Sequence, residues 1–454
     1  MTSHAASSPA AVPPVGSVLS PSFRAATLGM VALVSLIAFE ALAVATAMPT
    51  VARELDGLRL YAFAFGGTLA TSVIGMTLAG RWSDARGPAQ PLWTGLACFV
   101  AGLLLAGLAP DMPTLIGGRL LQGLGAGTLF VTLYVVVARL YPEALRPRIF
   151  AAFSAAWVLP SLLGPTLAGL IVQHVGWRWV FLAVPMLAIP AALLLRPTVR
   201  RLAAEDPRGA VLDRTVLWAI GASIGILLLY AGGQMHGAIA VPLLLPAAAL
   251  LGLCSWKLLP AGTLRLRRGL PSVIALRGLA GAAFFGCEAF LPLLLSRERG
   301  LSPWLAGVAL SVGALGWAAG SWYQGHTRRG WSRRQLLQTG ALAMAAGIGL
   351  TGLAMIAAVP VAVAIAGWVL TGLGMGLVYP SLSVLTLSLS PPAQQGRNSS
   401  ALQLSEAIAV ATTLAVSGSL FAWLLAHAVW LGYLLNFAIA GALALMALWV
   451  ARRV

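Results

Sequence analysis

Three glutamates, Glu40, Glu288 and Glu406, each stand alone in a long run of apolar residues. A carboxylate in the middle of such a run costs about 2.5–3.5 kcal/mol on membrane-insertion scales, so it must face a bundle interior or a wet cavity. Its chemistry there is proton exchange. Desolvation favours the neutral, proton-carrying form of a carboxyl, and a neighbouring cation favours the charged form. Arg119 and Arg277 are the cations that fall inside apolar runs. No Cys, His or acid spacing suits a metal: Cys98, Cys254 and Cys287 lie singly in apolar segments, and His174, His236, His326 and His427 are scattered. Single buried cysteines of this kind act as small apolar packers.

The elements that carry these residues follow from composition. A hydrophobic fraction of 59%, charged residues at 9% and a mean hydropathy of +0.90 exclude a soluble domain, which needs more polar surface. Segments long enough to cross hydrocarbon fall at roughly 25–48, 60–79, 90–109, 113–139, 148–173, 177–196, 214–233, 238–260, 272–295, 304–323, 335–357, 360–389, 397–422 and 427–450. The expected fold class is an all-α polytopic membrane protein of fourteen spans, grouped six, two and six. Residues 1–23 form a flexible tail, 24–196 a six-helix bundle, 197–213 a polar linker, 214–260 two inserted helices, 261–271 a basic loop and 272–454 a second six-helix bundle. Spans 7 and 8 bring Tyr230, Gln234 and His236 near their junction but no acid.

The net charge of +17 suggests nucleic acid until its distribution is read. Of 29 Lys and Arg, 22 fall in alternate loops and tails, among them Arg81, Arg86, Arg139, Arg146, Arg148, Arg201, Arg208, Arg265, Arg267, Arg268, Arg328, Arg329 and Arg397. That bias places both termini in the cytoplasm of a cell-membrane protein and requires an even span count, met by fourteen and equally by twelve. With sidedness set, Glu40, Arg119 and Glu288 lie about 9–12 Å from the outer ends of their spans, and Glu406 about 14 Å from a cytoplasmic end. Arg119 is thus placed to pair with Glu40. The alternatives are a neutral, hydrogen-bonded Glu40 and an Arg119 that ties helices together through backbone carbonyls.

The chain also repeats. Residues 118–169 match 367–418 without a gap at a shift of 249, with Gly118/Gly367, Gly123/Gly372, Gly125/Gly374, Gly127/Gly376, Arg148/Arg397 and Gly169/Gly418 coinciding. Two similar bundles follow, and in transporters built from repeats the substrate site lies between them. Three further stretches carry candidate moving parts. Gly80-Arg-Trp-Ser-Asp84-Ala-Arg86-Gly87 makes a tight basic turn after the second span. Its counterpart around GHTRRGWSRRQLLQTG is degenerate, with Arg329 where Asp84 stands. The turn Pro142-Glu143-Ala144 leads to Arg148, and Pro160, Gly164, Pro165 and Gly169 mark a fifth span that bends and packs closely.

On these residues the chain resembles the major facilitator superfamily, and most closely its fourteen-span drug/proton antiporter branch. Glu40 with Ala47-Met48-Pro49 resembles that branch's first-helix signature. Gly80 to Gly87 resembles the loop between helices 2 and 3, Arg119-Leu-Leu-Gln122-Gly123 the fourth-helix arginine motif, and Gly164-Pro165 to Gly169 the fifth-helix antiporter motif. Pro88-Ala89-Gln90 replaces the basic residues that usually close the loop motif, and Glu40 replaces the more usual Asp. The resemblance implies that Asp84 meets Arg397 when the cytoplasmic side closes and that Arg119 takes part in proton coupling.

The resulting expectation is a proton-coupled antiporter that exports lipophilic, cationic small molecules by alternating access and is not an enzyme. Glu40, Arg119, Glu288 and Glu406 would couple protons. Phe39, Gln122, Trp157, Phe284, Phe285, Tyr379 and Gln403 would contact substrate. Gly80, Asp84, Arg86, Gly87, Arg148, Gly164, Pro165, Gly169 and Arg397 would gate. Its partners would be the substrate, protons and the lipid bilayer, with no nucleic acid, no metal, no cofactor beyond protons, and a monomeric state. An exporter of an endogenous lipid or natural product is the competing reading. A membrane-embedded transferase is a remote one, since it needs clustered acid, His or Ser residues at the interface.

Overall fold

The computed structural model describes residues 17–142, 145–200, 202, 213–233, 235, 241–326, 331–391, 394–425 and 428–454. Gln234, His236, His427, Arg201, Arg208, Arg328, Arg329, Glu143, Ala144, residues 1–16 of the tail and 203–212 of the linker lie outside the described residues. With no water in hydrocarbon to satisfy backbone groups, apolar runs this long must become helices. Among the described residues there are fifteen α-helices: α1 (Arg24–Glu54), α2 (Phe63–Arg86), α3 (Ala89–Gly107), α4 (Met112–Leu140), α5 (Arg146–His174), α6 (Arg178–Leu193), α7 (Arg196–Val199), α8 (Arg214–Gly233), α9 (Val241–Leu258), α10 (Leu270–Leu293), α11 (Pro303–His326), α12 (Arg333–Gly352), α13 (Val361–Ser388), α14 (Gln395–Leu424) and α15 (Val429–Val450). Local chemistry sets several ends. Asp111 caps α4 by accepting from the Thr114 amide at 2.8 Å, Ser332 and Gln335 form a capping box on α12, and Gly87, at φ +78°, closes α2.

Among the described residues twelve helices are long and apolar enough to cross a membrane, so the expected count of fourteen is not supported. Two further apolar helices, Arg178–Leu193 and Pro242–Leu258, are shorter. The 16 residues of α6 cover about 24 Å, less than the roughly 30 Å of hydrocarbon. Counting apolar residues missed this because Pro185 and Pro190 lie inside α6, each lacking the amide a helix needs, and the chain turns at Leu194 before α7 restarts.

The repeat is visible in the helices. Met112 starts α4 and Val361 starts α13, while Arg146 starts α5 and Gln395 starts α14, each pair 249 residues apart. The paired glycines do the same work twice. A Cβ on Gly125 would run into the backbone of Phe99 and Gly95 in α3, and one on Gly374 into the backbone of Gly340 in α12. In the first half α4 packs between α2 and α3 and α1 packs on α5 and α6; in the second, α13 packs between α11 and α12 and α10 on α14 and α15.

The inserted helices α8 and α9 pack on each other, and α8 lies against both α2 and α14. Among the described residues its polar anchors are on α2 and the residue before it: Asp213 pairs with Arg81 at 2.9 Å, Ser223 donates to the Ala70 carbonyl at 2.6 Å, and Tyr230 donates to the Ala62 carbonyl at 3.1 Å. Exposed tryptophans sit at both rims of the bundle, Trp179, Trp423 and Trp430 at one and Trp256, Trp322 and Trp449 at the other, as interfacial residues do.

Candidate functional site

In the first half, α1 brings Glu40, α4 brings Arg119 and Gln122, and α2 supplies a carbonyl. Arg119 donates through Nη1 to the Glu40 carboxylate and, at 2.7 Å, to Gln122 Oε1, while its Nε donates to the Ala64 carbonyl at 2.9 Å. All three side chains are buried. Glu40 and Arg119, brought together as their depth suggested, neutralise each other. Arg119 also bonds a backbone carbonyl, so pairing and helix-tying coexist in one side chain. The Gln122 amide nitrogen has no partner among the described residues.

The second half holds another charge cluster, built from different elements. Arg277 on α10 donates through Nε to Glu406 Oε2 on α14 at 2.5 Å, and Tyr379 on α13 donates its hydroxyl to Glu406 Oε1 at 2.8 Å. The Arg277 guanidinium carbon also lies 3.5 Å from the Tyr379 ring centroid, a cation–π contact. Gly281 makes room for the cluster, since a Cβ there would sit 2.9 Å from the Tyr379 hydroxyl and 3.0 Å from Glu406 Cγ. Aromatic rings continue outward: Trp317 meets Tyr379 edge-on at 5.1 Å, and Phe284 contacts Trp317, Trp368 and Phe285 at 5.2, 4.7 and 5.2 Å.

Sequence reasoning left Arg277 without a role and missed Trp317 and Trp368. The signal for Arg277 was present. An arginine inside a span needs a partner, and both Arg277 and Glu406 stand nearer the basic ends of their helices than the outer ends.

Glu288 is different. It shares a face of α10 with Arg277, three turns and about 16 Å further along. It is partly buried and makes no hydrogen bond or ion pair among the described residues. The structure thus sorts the acids into two that are neutralised by arginine and one that stands alone. Of the other expected substrate contacts, Gln403 is partly buried one turn before Glu406, Phe39 packs near Gly164 of α5, and Trp157 is exposed on α5.

The expected gating residues divide between the two ends. At the end away from the termini the halves touch: Thr166 and Ser311 hydroxyls are 2.9 Å apart, and Tyr61 donates to the Ala289 carbonyl at 2.7 Å. A Cβ on Gly169 would lie 2.6 Å from the Pro303 carbonyl oxygen, and one on Gly307 would meet the Pro165 backbone. Pro165 and Gly169 therefore lie along this seam between α5 and α11, while Gly164 faces Phe39 and Leu42 of α1. At the terminal end Asp84, Arg86, Arg148 and Arg397 are exposed, and Asp84 and Arg397 make no bond to each other among the described residues. Gly80 has open space beside it, while Gly87 serves its turn through a positive φ. The two halves thus touch at one end, and at the other the expected contact of Asp84 with Arg397 is not made among the described residues.

A family model described as Major Facilitator Superfamily matches residues 28–412. Among curated relatives, the chain is 29% identical over 310 residues to the "MFS transporter L2" of Phoma sp., covering 63% of this chain and 51% of that one. It is 27% identical over 400 residues to the "Probable multidrug-efflux transporter Rv1634" of Mycobacterium tuberculosis, covering 82% of each. It is 27% identical over 287 residues to the "Acurin A biosynthesis cluster MFS-type transporter" of Aspergillus aculeatus, covering 59% of this chain and 51% of that one. The chain thus spans about half the length of the two fungal relatives. A solved POT family peptide transporter has the same fold, with a TM-score of 0.67, 17% identity, and coverage of 94% of this chain and 97% of that one.

Proposed function

The chain belongs to the Major Facilitator Superfamily, and on that premise we propose that it is a proton-coupled antiporter exporting lipophilic cations by alternating access. One observation carries the reading: Glu288 is the interior acid with no arginine beside it among the described residues. Glu40 and Glu406 are each held by a cation, so neither releases its charge without breaking a buried pair. Glu288 is the group free to carry a proton in one state and to face a cationic substrate in the other. The ring series Phe285, Phe284, Trp317 and Tyr379 offers apolar and quadrupolar surface to a flat cation on the same side.

The basic bias of the loops assigns the terminal end to the cytoplasm of a cell membrane. With the opposite end sealed, the conformation is then the one that loads substrate from inside. A monomer suffices for this mechanism, because both halves of the pathway are in one chain.

The test is a proteoliposome assay in which an imposed pH gradient drives uptake of a lipophilic cation. Wild type exchanges protons for the cation, and Glu288→Gln binds it without responding to the gradient. Gradient-driven exchange at the wild-type rate in that variant would remove the basis of the proposal. The natural-product reading is favoured by the similarity to a biosynthesis-cluster transporter. It predicts transport of neutral amphiphiles and substrate affinity indifferent to charge at position 288.

A further inference from the structure

The connection from α9 to α10, residues 259–269, is a built loop. The amides of Arg265 and Arg267 donate to the Gly262 carbonyl at 3.2 and 3.1 Å, and the Leu266 amide donates to the Thr263 carbonyl at 3.0 Å. Leu266 sits at φ +52°, a left-handed conformation that a branched residue keeps only where its surroundings over-determine it. Those surroundings are explicit. The Leu266 carbonyl accepts from Ser272 Oγ at 3.3 Å and from Arg453 Nη1 at 3.2 Å, and the Gly269 amide donates back to the Arg453 carbonyl at 3.3 Å. The loop is stapled to the C-terminal end of α15.

What the staple presents is cationic and edged with indole. Arg265, Arg267 and Arg268 are exposed, and none pairs with an acid among the described residues. Residues 256–270 and 449–454 contain no Asp or Glu. The Arg265 guanidinium lies 5.0 Å over the Trp256 ring and that of Arg453 lies 3.9 Å over Trp449, with the two tryptophans 58% and 44% exposed. Both tryptophans lie within the last turn of their helices, the level at which indoles sit among lipid headgroups.

We propose that this strip is a binding site for the headgroup of an anionic phospholipid. Guanidinium forks of Arg265, Arg267 and Arg268 take the phosphodiester and its acidic substituent, because planar N–H pairs match phosphate oxygens. Trp256 and Trp449 pack on the glycerol and upper acyl carbons. A basic loop serving only to orient the chain needs neither strain at Leu266 nor a tie to Arg453; a site with fixed geometry needs both. Charge sign and depth together select acidic lipid over zwitterionic lipid.

The test uses the full chain in vesicles of phosphatidylcholine with a minor fraction of phosphatidylglycerol, with bromine on the acyl chains of one lipid or the other. Brominated phosphatidylglycerol should quench tryptophan fluorescence more than an equal fraction of brominated phosphatidylcholine. That preference should vanish in W256F/W449F and in R265Q/R267Q/R268Q. It should persist in R333Q/R334Q, which removes two exposed arginines from the start of α12 at the same end. It should also survive soluble glycerophosphate at constant ionic strength. Equal quenching by the two lipids in wild type, a preference retained in the triple variant, an equal drop in R333Q/R334Q, or abolition by glycerophosphate would each overturn the assignment. The readout is independent of transport, so its outcome leaves the antiporter reading untouched.

Discussion

Arg277 on α10 donates to Glu406 on α14 at 2.5 Å, whereas in the first half the acid is on the helix equivalent to α10 and the arginine is on α4. The two halves therefore share a backbone plan but place their pairs differently: the partner of the first-helix residue comes from α4 in one half and from α14, the counterpart of α5, in the other. Each half holds one such pair, and Glu288 has no arginine partner among the described residues.

That arrangement separates acids needed for structure from the acid needed for coupling. Removing one member of the Arg277–Glu406 pair, whose side chains are 11% and 16% exposed, strands the other and should cost about 3–5 kcal/mol. The double replacement R277M/E406L should recover most of that loss, while Glu288→Gln should unfold close to wild type. Thermal unfolding in detergent gives the comparison. A Glu406→Gln variant as stable as wild type would show that the pair does not hold the second half together.

Tyr379 contributes to the same cluster in two ways that substitution can separate. Tyr379→Phe removes the hydroxyl that Glu406 Oε1 accepts from but keeps the ring under Arg277, and should cost about 1.5–3 kcal/mol as a bond to a charged group. Tyr379→Ala removes both and should cost more and weaken binding of aromatic cations. The ordering of Phe and Ala in an equilibrium binding titration checks this; equal affinities for the two would remove the ring from the site.

The seam between α5 and α11 should behave as a gate. Gly307→Val forces the Pro165 backbone away, an overpacking of about 1–3 kcal/mol directed against the sealed state. Since 1.4 kcal/mol is about tenfold in a population, the other state should become abundant. Spin labels at the exposed positions Val175 and Trp430, one in each half at the sealed end, should report a longer distance in the variant. An unchanged distance distribution would mean the seam is not what holds that end shut.

The inserted helices should travel with the first half. Among the described residues the polar anchors of α8 and of Asp213 before it are on α2 and its N-cap Ala62, while Gly233 and Tyr230 lie beside the small residues Ser419 and Gly418 of α14. In a background lacking Cys98, Cys254 and Cys287, oxidised A70C/S223C should transport normally, and oxidised G233C/S419C should be arrested until reduced. Full transport with the second crosslink closed would place the hairpin with the other half.

Much of this was legible in the residues alone. The repeat at 249, the glycine ridges of α4 and α13 and the depth match of Glu40 with Arg119 are local or periodic features, and a helix converts spacing into position at 1.5 Å per residue. The span count was less legible, because apolar composition does not reveal where Pro185 and Pro190 leave α6 too short.

What the sequence determined by itself was the class of molecule: two related helical bundles in a membrane, with acids and arginines in their interiors. Only the tertiary structure decided that Arg277 pairs with Glu406, that Glu288 has no arginine partner among the described residues, at which end the halves touch, and that the loop after α9 is stapled to Arg453. Those choices depend on how helices separated by scores of residues rotate against one another, and the rotation of a helix about its axis is set by packing across the bundle.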